Sequence, residues 1–275
     1  MLELNRPPGR REERNLIAGR YCLIEEVGRG RLGSVHKALD CESGGTVALK
    51  FGLGDMGFAR TSLMNEASAL ARVSHEGVAG LRGAGESEMG PFIVMDYVHG
   101  LNLRQLLKSG GMPSGMAMRA MGTVLGALES SHQSGVVHRD IKPKNVMIGT
   151  DGKARLVDFG FARVSGESDY TEKFTHAFGN PIYSPPEDLR GNADPRVDIY
   201  SAGVMLYELM INRNRFYFVS AMKLLELRTS IGRAFGGRNV PADALEIAHK
   251  ATERDPEMRF QSARAMREAL ENIIV

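Results

Sequence analysis

Cysteine is nearly absent. Cys22 and Cys41 are too few for a disulfide framework and read as small residues in or beside strands of a reduced, cytosolic protein. Neither sign of charge dominates: the net charge of +2 argues against a nucleic-acid footprint over the whole surface. No apolar run approaches about eighteen residues, so no membrane span is expected. No apolar run follows the N-terminal charges, which argues against a secretory signal. Internal repeats and low-complexity tracts are missing too. What is there is 275 residues, 43% hydrophobic, enough for two modest cores in one two-lobed domain. A soluble, cytoplasmic protein is expected, with delivery into another cell left open.

The densest chemistry lies at His138-Arg139-Asp140-Ile141-Lys142-Pro143-Lys144-Asn145, followed downstream by Asp158-Phe159-Gly160. A lone Asp in a loop is usually a turn or capping residue. Here a carboxylate that can take a hydroxyl proton, an amide that can hold a metal and a second carboxylate for that metal occur in one order. That set is what phosphoryl transfer needs. Upstream, Gly28-Arg29-Gly30-Arg31-Leu32-Gly33 follows a strand-like run over 21–27. Glycine lets the backbone approach phosphates closely. The pattern is weak alone, because it also marks dinucleotide sites. A dinucleotide fingerprint opens a helix, whereas Val35 and its successors continue as a strand, making a glycine-rich hairpin.

Taken together, these residues resemble a eukaryotic-type Ser/Thr protein kinase catalytic domain, closest in style to bacterial members. The likeness runs from 21 to about 272. It implies an α+β, bilobal kinase fold: a small antiparallel β-sheet N-lobe with one main helix, and a larger, mainly helical C-lobe. The expected divisions are a flexible basic tail over 1–20, an N-lobe over 21–98 and a C-lobe over 99–275. Further strands are expected at 46–51, 78–83, 92–95 and 146–148. Helices are expected at 62–72, 101–108, 114–133 (with Ser114 as N-cap), 198–210, 242–253 and 262–272.

The resemblance also assigns roles. Asp140 would orient the acceptor hydroxyl and take its proton, and Lys142 would neutralise charge on the γ-phosphate. Asn145 and Asp158 would hold Mg²⁺. Lys50, paired with Glu66, would hold the α- and β-phosphates of ATP. Val27, Gly28, Gly30, Gly33, Val35, Ala48, Met95 and Met147 would surround the nucleotide. The backbone of Asp96 and Val98 would bind adenine, and Asn102 would reach the ribose. Asp198 would hold the catalytic loop, and Glu187 would pair with Arg259. A column of Leu81, Leu70, Phe159 and His138 would stand on Asp198. Arg139 would receive a phosphate on the activation segment, at Thr175 or, failing that, Thr171. Glu167, Asp169 and Glu172 could supply part of that negative charge instead. Asn180 departs from the family, which carries a Thr there bridging the catalytic Asp and Lys.

The function implied is ATP- and Mg-dependent phosphorylation of Ser or Thr on protein substrates, with autophosphorylation of the activation segment. Two other readings stand beside it: a pseudokinase used as an interaction module, and a small-molecule phosphotransferase of related fold.

Overall fold

The computed structural model describes residues 16–30, 33–54, 56–167, 182–185, 187, 194–211 and 241–274. The chain divides into two compact units, one of Met1–Leu63 with Arg82–Tyr97, the other of Met64–Leu81 with Val98–Val275.

The first unit is built on five strands: β1 (Tyr21–Arg29), β2 (Gly33–Asp40), β3 (Thr46–Gly52), β4 (Leu81–Ser87) and β5 (Gly90–Asp96). Their order in the sheet is β1-β2-β3-β5-β4, and the pairs β1/β2, β2/β3 and β3/β5 are antiparallel. Side chains alternate across a strand. Val47, Leu49 and Phe51 therefore share one face of β3 and join Ala38, Phe92 and Val94 in the core of this unit. The opposite face of β3 carries Ala48 and Lys50. Register places Lys50 across from Val35 and Ile93, and Ala48 across from Lys37 and Met95. Strand alternation thus gathers Val35, Ala48, Lys50 and Met95 on the side away from that core. A bulge in β1 falls between Glu26 and Gly28. It leaves Val27 exposed and sets Gly28 opposite Val35.

The Gly30 N–H donates to the Gly33 carbonyl at 2.8 Å and draws the two strands together. Gly33 lies so close to β3 that a Cβ there would run into the Phe51 carbonyl oxygen. Gly33→Ala is therefore expected to force the hairpin off β3 at a cost of about 1–3 kcal/mol, read as a fall in Tm. An unchanged Tm would mean the close approach is not required.

Residues 16–20, expected in the flexible tail, are part of the fold. Ile17 is buried in the core cluster and forms a bridge with Tyr21. Arg20 makes a bidentate pair with Asp40 at 2.7 and 2.8 Å. The short apolar run Leu16-Ile17-Ala18 is too brief to show a period, so the sequence did not mark this turn.

Helix α1 (Met56–Arg72) begins six residues before the expected start at 62. Ala59 explains the extension, since it packs so tightly on Gly52 that a Cβ there would come within 2.7 Å of the Ala59 methyl.

The second unit is mainly helical. Asn102 caps α2 (Leu103–Lys108), and α3 (Ser114–Gln133), α4 (Arg196–Ile211), α5 (Ala242–Ala251) and α6 (Ala263–Ile274) follow. Helix α3 starts from Pro113 with no side-chain cap, so Ser114 is its first residue rather than its cap. Helix α4 is apolar on all sides, as a helix surrounded by protein must be. Helix α3 packs on α4 and α6, and α5 packs on α4. Among the described residues no helix is long and apolar enough to cross a membrane.

Three short strands, β6 (Gly100–Asn102), β8 (Val146–Gly149) and β9 (Ala154–Leu156), form one antiparallel sheet. The short β7 (Val136–Val137) and β10 (Arg163–Val164) form another. The expected strand over 78–83 is β4, shifted to start at Leu81, while Val78 instead bridges Leu156.

Candidate active site

Two pairings bring the distant motifs together. The β7/β10 pair ties the chain just before His138 to the chain just after Gly160. The β8/β9 hairpin follows directly on a single 3-10 turn at Pro143–Asn145, and the Val157 N–H donates to the Asn145 carbonyl at 2.9 Å. Asp140, Lys142, Asn145 and Asp158 are held by these short elements.

Asp140 is buried. Lys142 Nζ donates to both its oxygens, at 2.7 and 2.6 Å, and Asn145 Nδ2 donates to Oδ2 at 2.8 Å. The same amide nitrogen donates to the Asp140 carbonyl at 2.9 Å. Burial raises the Asp140 carboxyl above its ordinary value; Lys142 opposes that shift and the Asp158 charge adds to it. The result is a carboxylate of increased basicity, held by two donors.

Asp158 and Arg139 both adopt left-handed backbone, at φ 67° and 63°. Away from glycine that conformation is uncommon and costs roughly 1–3 kcal/mol per residue. Such strain persists where the surroundings over-determine it, and here it falls on the two motifs that carry the chemistry.

The restraint comes from α4. Asp198, completely buried in its first turn, accepts from the backbone N–H of His138 at 2.8 Å and of Arg139 at 2.7 Å. His132 Nε2 lies 2.9 Å from the same carboxylate. Burial pushes Asp198 upward, but the hydrogen bonds from His132 and the backbone outweigh it and hold the group below the ordinary carboxylate range. His138 is wholly buried, and burial lowers its pKa, so the ring is neutral. Its Nδ1 accepts from the Asp140 N–H at 3.2 Å, and its ring packs on Phe159 at 4.5 Å between centroids. The lower part of the expected column, Phe159 on His138 on Asp198, is thus in place. Leu70 is buried and Leu81 is half-buried.

The donor set suits a magnesium ion. Asn145 turns its amide nitrogen toward Asp140, which leaves its oxygen directed elsewhere, and Asp158 offers a carboxylate. Among the described residues no cluster of three or more His, Cys, Asp or Glu could form an all-protein metal cage. Magnesium usually takes one or two protein oxygens and completes its shell with water and substrate phosphates.

Other expected residues fall as follows. Lys50 and Glu66 are both buried, in β3 and α1. Asn102 stands at the N-terminus of α2. Its side chain accepts from the Gln105 N–H at 2.9 Å and forms a capping box that starts α2. Met147 lies opposite Asn102 in the β6/β8 register and is half-buried. Val98 is buried, and the Asp96 carboxylate accepts from Arg82 Nε at 2.6 Å. The Arg259 guanidinium donates to Glu187 and to the Arg196 carbonyl. Thr171, Thr175 and Asn180 lie outside the described residues, as do residues 212–240.

Sequence reading missed one set of contacts entirely. Asn65 Nδ2 donates to the Ala162 carbonyl at 2.8 Å, while Ser68 Oγ and Arg72 Nη2 donate to Glu167 at 2.6 and 2.8 Å. Glu167, one of three acids that could have supplied part of the charge near Arg139, is bound to Ser68 and Arg72 of α1. Three polar residues at helical spacing, 65, 68 and 72, were the available signal.

A protein-family model described as a protein kinase domain matches residues 21–270. Over 270 residues the chain is 35% identical to the serine/threonine-protein kinase PknL of Mycobacterium tuberculosis, covering 95% of this chain and 67% of that protein. It is 36% identical to a probable serine/threonine-protein kinase of Streptomyces coelicolor, covering 94% of this chain and 41% of that one. A probable PknB of Lactococcus lactis is 33% identical, with 91% and 41% covered. The chain therefore spans two thirds of the mycobacterial relative and less than half of the other two. The loop held by Asp198, the strained Asp158 and these likenesses agree: the chain belongs to the serine/threonine protein kinase family.

Proposed function

We propose that this protein transfers the γ-phosphoryl group of Mg-ATP to serine or threonine hydroxyls of proteins in the cytoplasm. The observation that carries the reading is the buried Asp140 carboxylate, held by Lys142 and Asn145 and raised in basicity. Asp140 accepts the hydroxyl proton as the acceptor oxygen bonds to the γ-phosphorus; the bond from that phosphorus to the bridging oxygen breaks, and ADP leaves. Lys142, already at Asp140, lies within reach of charge on the phosphoryl group in flight. A magnesium ion held by Asp158 and the Asn145 oxygen would neutralise β- and γ-phosphate charge. Lys50 and the glycine hairpin supply the cation and close backbone approach that the α- and β-phosphates require. Neither cysteine is in a disulfide, which fits a reducing compartment.

The protein phosphorylates its own activation segment on this reading, at Thr175 or Thr171, with Arg139 as the partner of the new phosphate. A phosphate brings roughly two negative charges and three acceptor oxygens that a guanidinium can fork. With labelled Mg-ATP and a bacterial lysate, phosphate is expected on Ser and Thr of proteins and on one of these two threonines. Chelating the metal is expected to abolish transfer, and added magnesium to restore it. Transfer to small molecules with none to protein would overturn the reading.

A further inference from the structure

Asp158 has left-handed backbone, and a strained residue keeps its place only where its surroundings over-determine it. On its N-terminal side, the Val157 N–H donates to the Asn145 carbonyl at 2.9 Å. On its C-terminal side the chain turns at once, as the Ala162 N–H donates to the Phe159 carbonyl at 2.9 Å. The chain then enters β10, paired with β7, and the Ser165 N–H donates to the Gly135 carbonyl at 2.8 Å. The remaining restraint comes from α1.

Three polar residues at helical spacing reach this segment. Asn65 Nδ2 donates to the Ala162 carbonyl at 2.8 Å. Arg72 donates to the Ser165 carbonyl at 3.3 Å through Nη1 and to Glu167 at 2.8 Å through Nη2. Ser68 Oγ donates to the same Glu167 oxygen at 2.6 Å. These contacts differ in what they can hold. Arg72 and Glu167 are each over a third exposed, and an exposed pair is worth little alone. Asn65 is half-buried and Ala162 is buried, so the Ala162 carbonyl has little water to turn to if the amide is removed. The bond from Asn65 closes on the turn that begins directly after Asp158. The Phe159 ring inside that turn packs on His138. Moving the peptide that follows Asp158 therefore breaks the ring contact, the bond to α1, or both.

We propose that Asn65 is a positioning residue for Asp158: by holding the turn at Ala162, it sets the direction in which that carboxylate meets the metal. Glu167, bound by Ser68 and Arg72, keeps the segment alongside α1 so that Asn65 stays within reach. Magnesium demands near-ideal octahedral geometry from its few protein oxygens, so a carboxylate free to turn binds it less well. On the segment side the latch consists of carbonyls and a carboxylate, so it needs no phosphate on the activation segment. The inference rests on the protein kinase reading, in which Asp158 holds the metal, and adds to it the residue that aims Asp158. A separation of 97 residues between Asn65 and Ala162 kept the pair out of sight in the sequence.

The test uses the full chain after phosphatase treatment. Calorimetry measures the Kd of the non-hydrolysable analogue AMP-PNP, first in EDTA and then over a magnesium titration. Asn65→Ala, Asn65→Asp and Glu167→Gln are compared with wild type, and Asp158→Asn sets the floor. Magnesium should tighten AMP-PNP on wild type, and Asp158→Asn should lose that gain. In Asn65→Ala the magnesium needed for half of the gain should rise about 3- to 10-fold, the worth of one hydrogen bond, while Kd in EDTA stays within about twofold. Asn65→Asp keeps the shape but sets a second acceptor against the Ala162 carbonyl, so its rise should exceed that of alanine. Glu167→Gln keeps an acceptor oxygen and loses the charge, so its rise should be smaller. Transfer by Asn65→Ala at saturating magnesium should return to within about threefold of the wild-type kcat, which a collapsed site would not do. If the Asn65 variants do not fold, Glu167→Gln carries the test through the same segment. A magnesium demand equal to wild type in the folded variants, or an equal loss of affinity in EDTA and in magnesium, would overturn the inference alone. A wild-type protein whose AMP-PNP affinity ignores magnesium and which transfers no phosphate would instead overturn the kinase reading on which it rests.

Discussion

Asp140→Asn is expected to remove nearly all phosphoryl transfer while leaving the fold and nucleotide affinity in place. The amide matches the carboxylate in shape but cannot accept a proton, and loss of a positioned base costs typically about 10²- to 10⁴-fold. Asn145 and Lys142 would still lie beside the substituted side chain, so the loss reports the base and not a collapsed loop. Stability gives an independent check. Burial raises the Asp140 carboxyl, which means the ionised form is held at a cost in the folded state. Removing that charge should leave Tm unchanged or slightly higher, as happens when a strained catalytic group is neutralised. The same raised value puts the acid limb of kcat/KM above the ordinary carboxylate range of about 4 in the wild type. More than about a tenth of wild-type rate in the variant would show that Asp140 is not the base.

How much was legible beforehand varied with the kind of signal. The β2/β3/β5 faces were readable because alternation fixes them: once Val47, Leu49 and Phe51 point to the core, Lys50 must point the other way. His138 to Asn145 and Asp158 were readable because their chemistry is local in sequence. The start of α1 was not, because 56–61 has no apolar stripe of its own and is fixed by Ala59 against Gly52. The capping role of Asn102 was not read beforehand, because a lone Asn before a helix becomes a cap only through its bond to the backbone N–H of Gln105. Glu208 carried a signal that went unused. An acid in the apolar stretch of α4 beyond Asp198 predicts a buried cation, although spacing could not say that the cation is Arg104. The helical spacing of 65, 68 and 72 marks a polar face on α1, but that Glu167 lies against it follows from tertiary placement.

Asp198→Asn is expected to be the most damaging single change for stability. The carboxylate is completely buried and receives three donors: the N–H groups of His138 and Arg139, and His132 Nε2. An amide offers one oxygen and brings two N–H donors of its own. At least one of the three donors would then face an N–H with no acceptor, inside protein, where water cannot repair the loss. Breaking such a buried charged cluster costs about 3–5 kcal/mol, a large part of the stability a domain usually has. For a chain of this size that corresponds to a fall in Tm of roughly 10 °C. The pH dependence sharpens the expectation. The folded pKa of Asp198 is depressed, so its contribution is fully present above the unfolded value of about 3.9 and is lost as pH falls through the folded value. The wild-type advantage over Asp198→Asn should therefore be constant near neutrality and shrink below about pH 4. Activity should fall with stability, because the left-handed Arg139 and the neighbouring Asp140 lose the anchor that holds their backbone. Thermal melts of both proteins from neutrality down into that acid range check the claim, with transfer assayed well below the variant's Tm. A variant that melts within about 2 °C of wild type would show that the catalytic loop does not depend on this carboxylate.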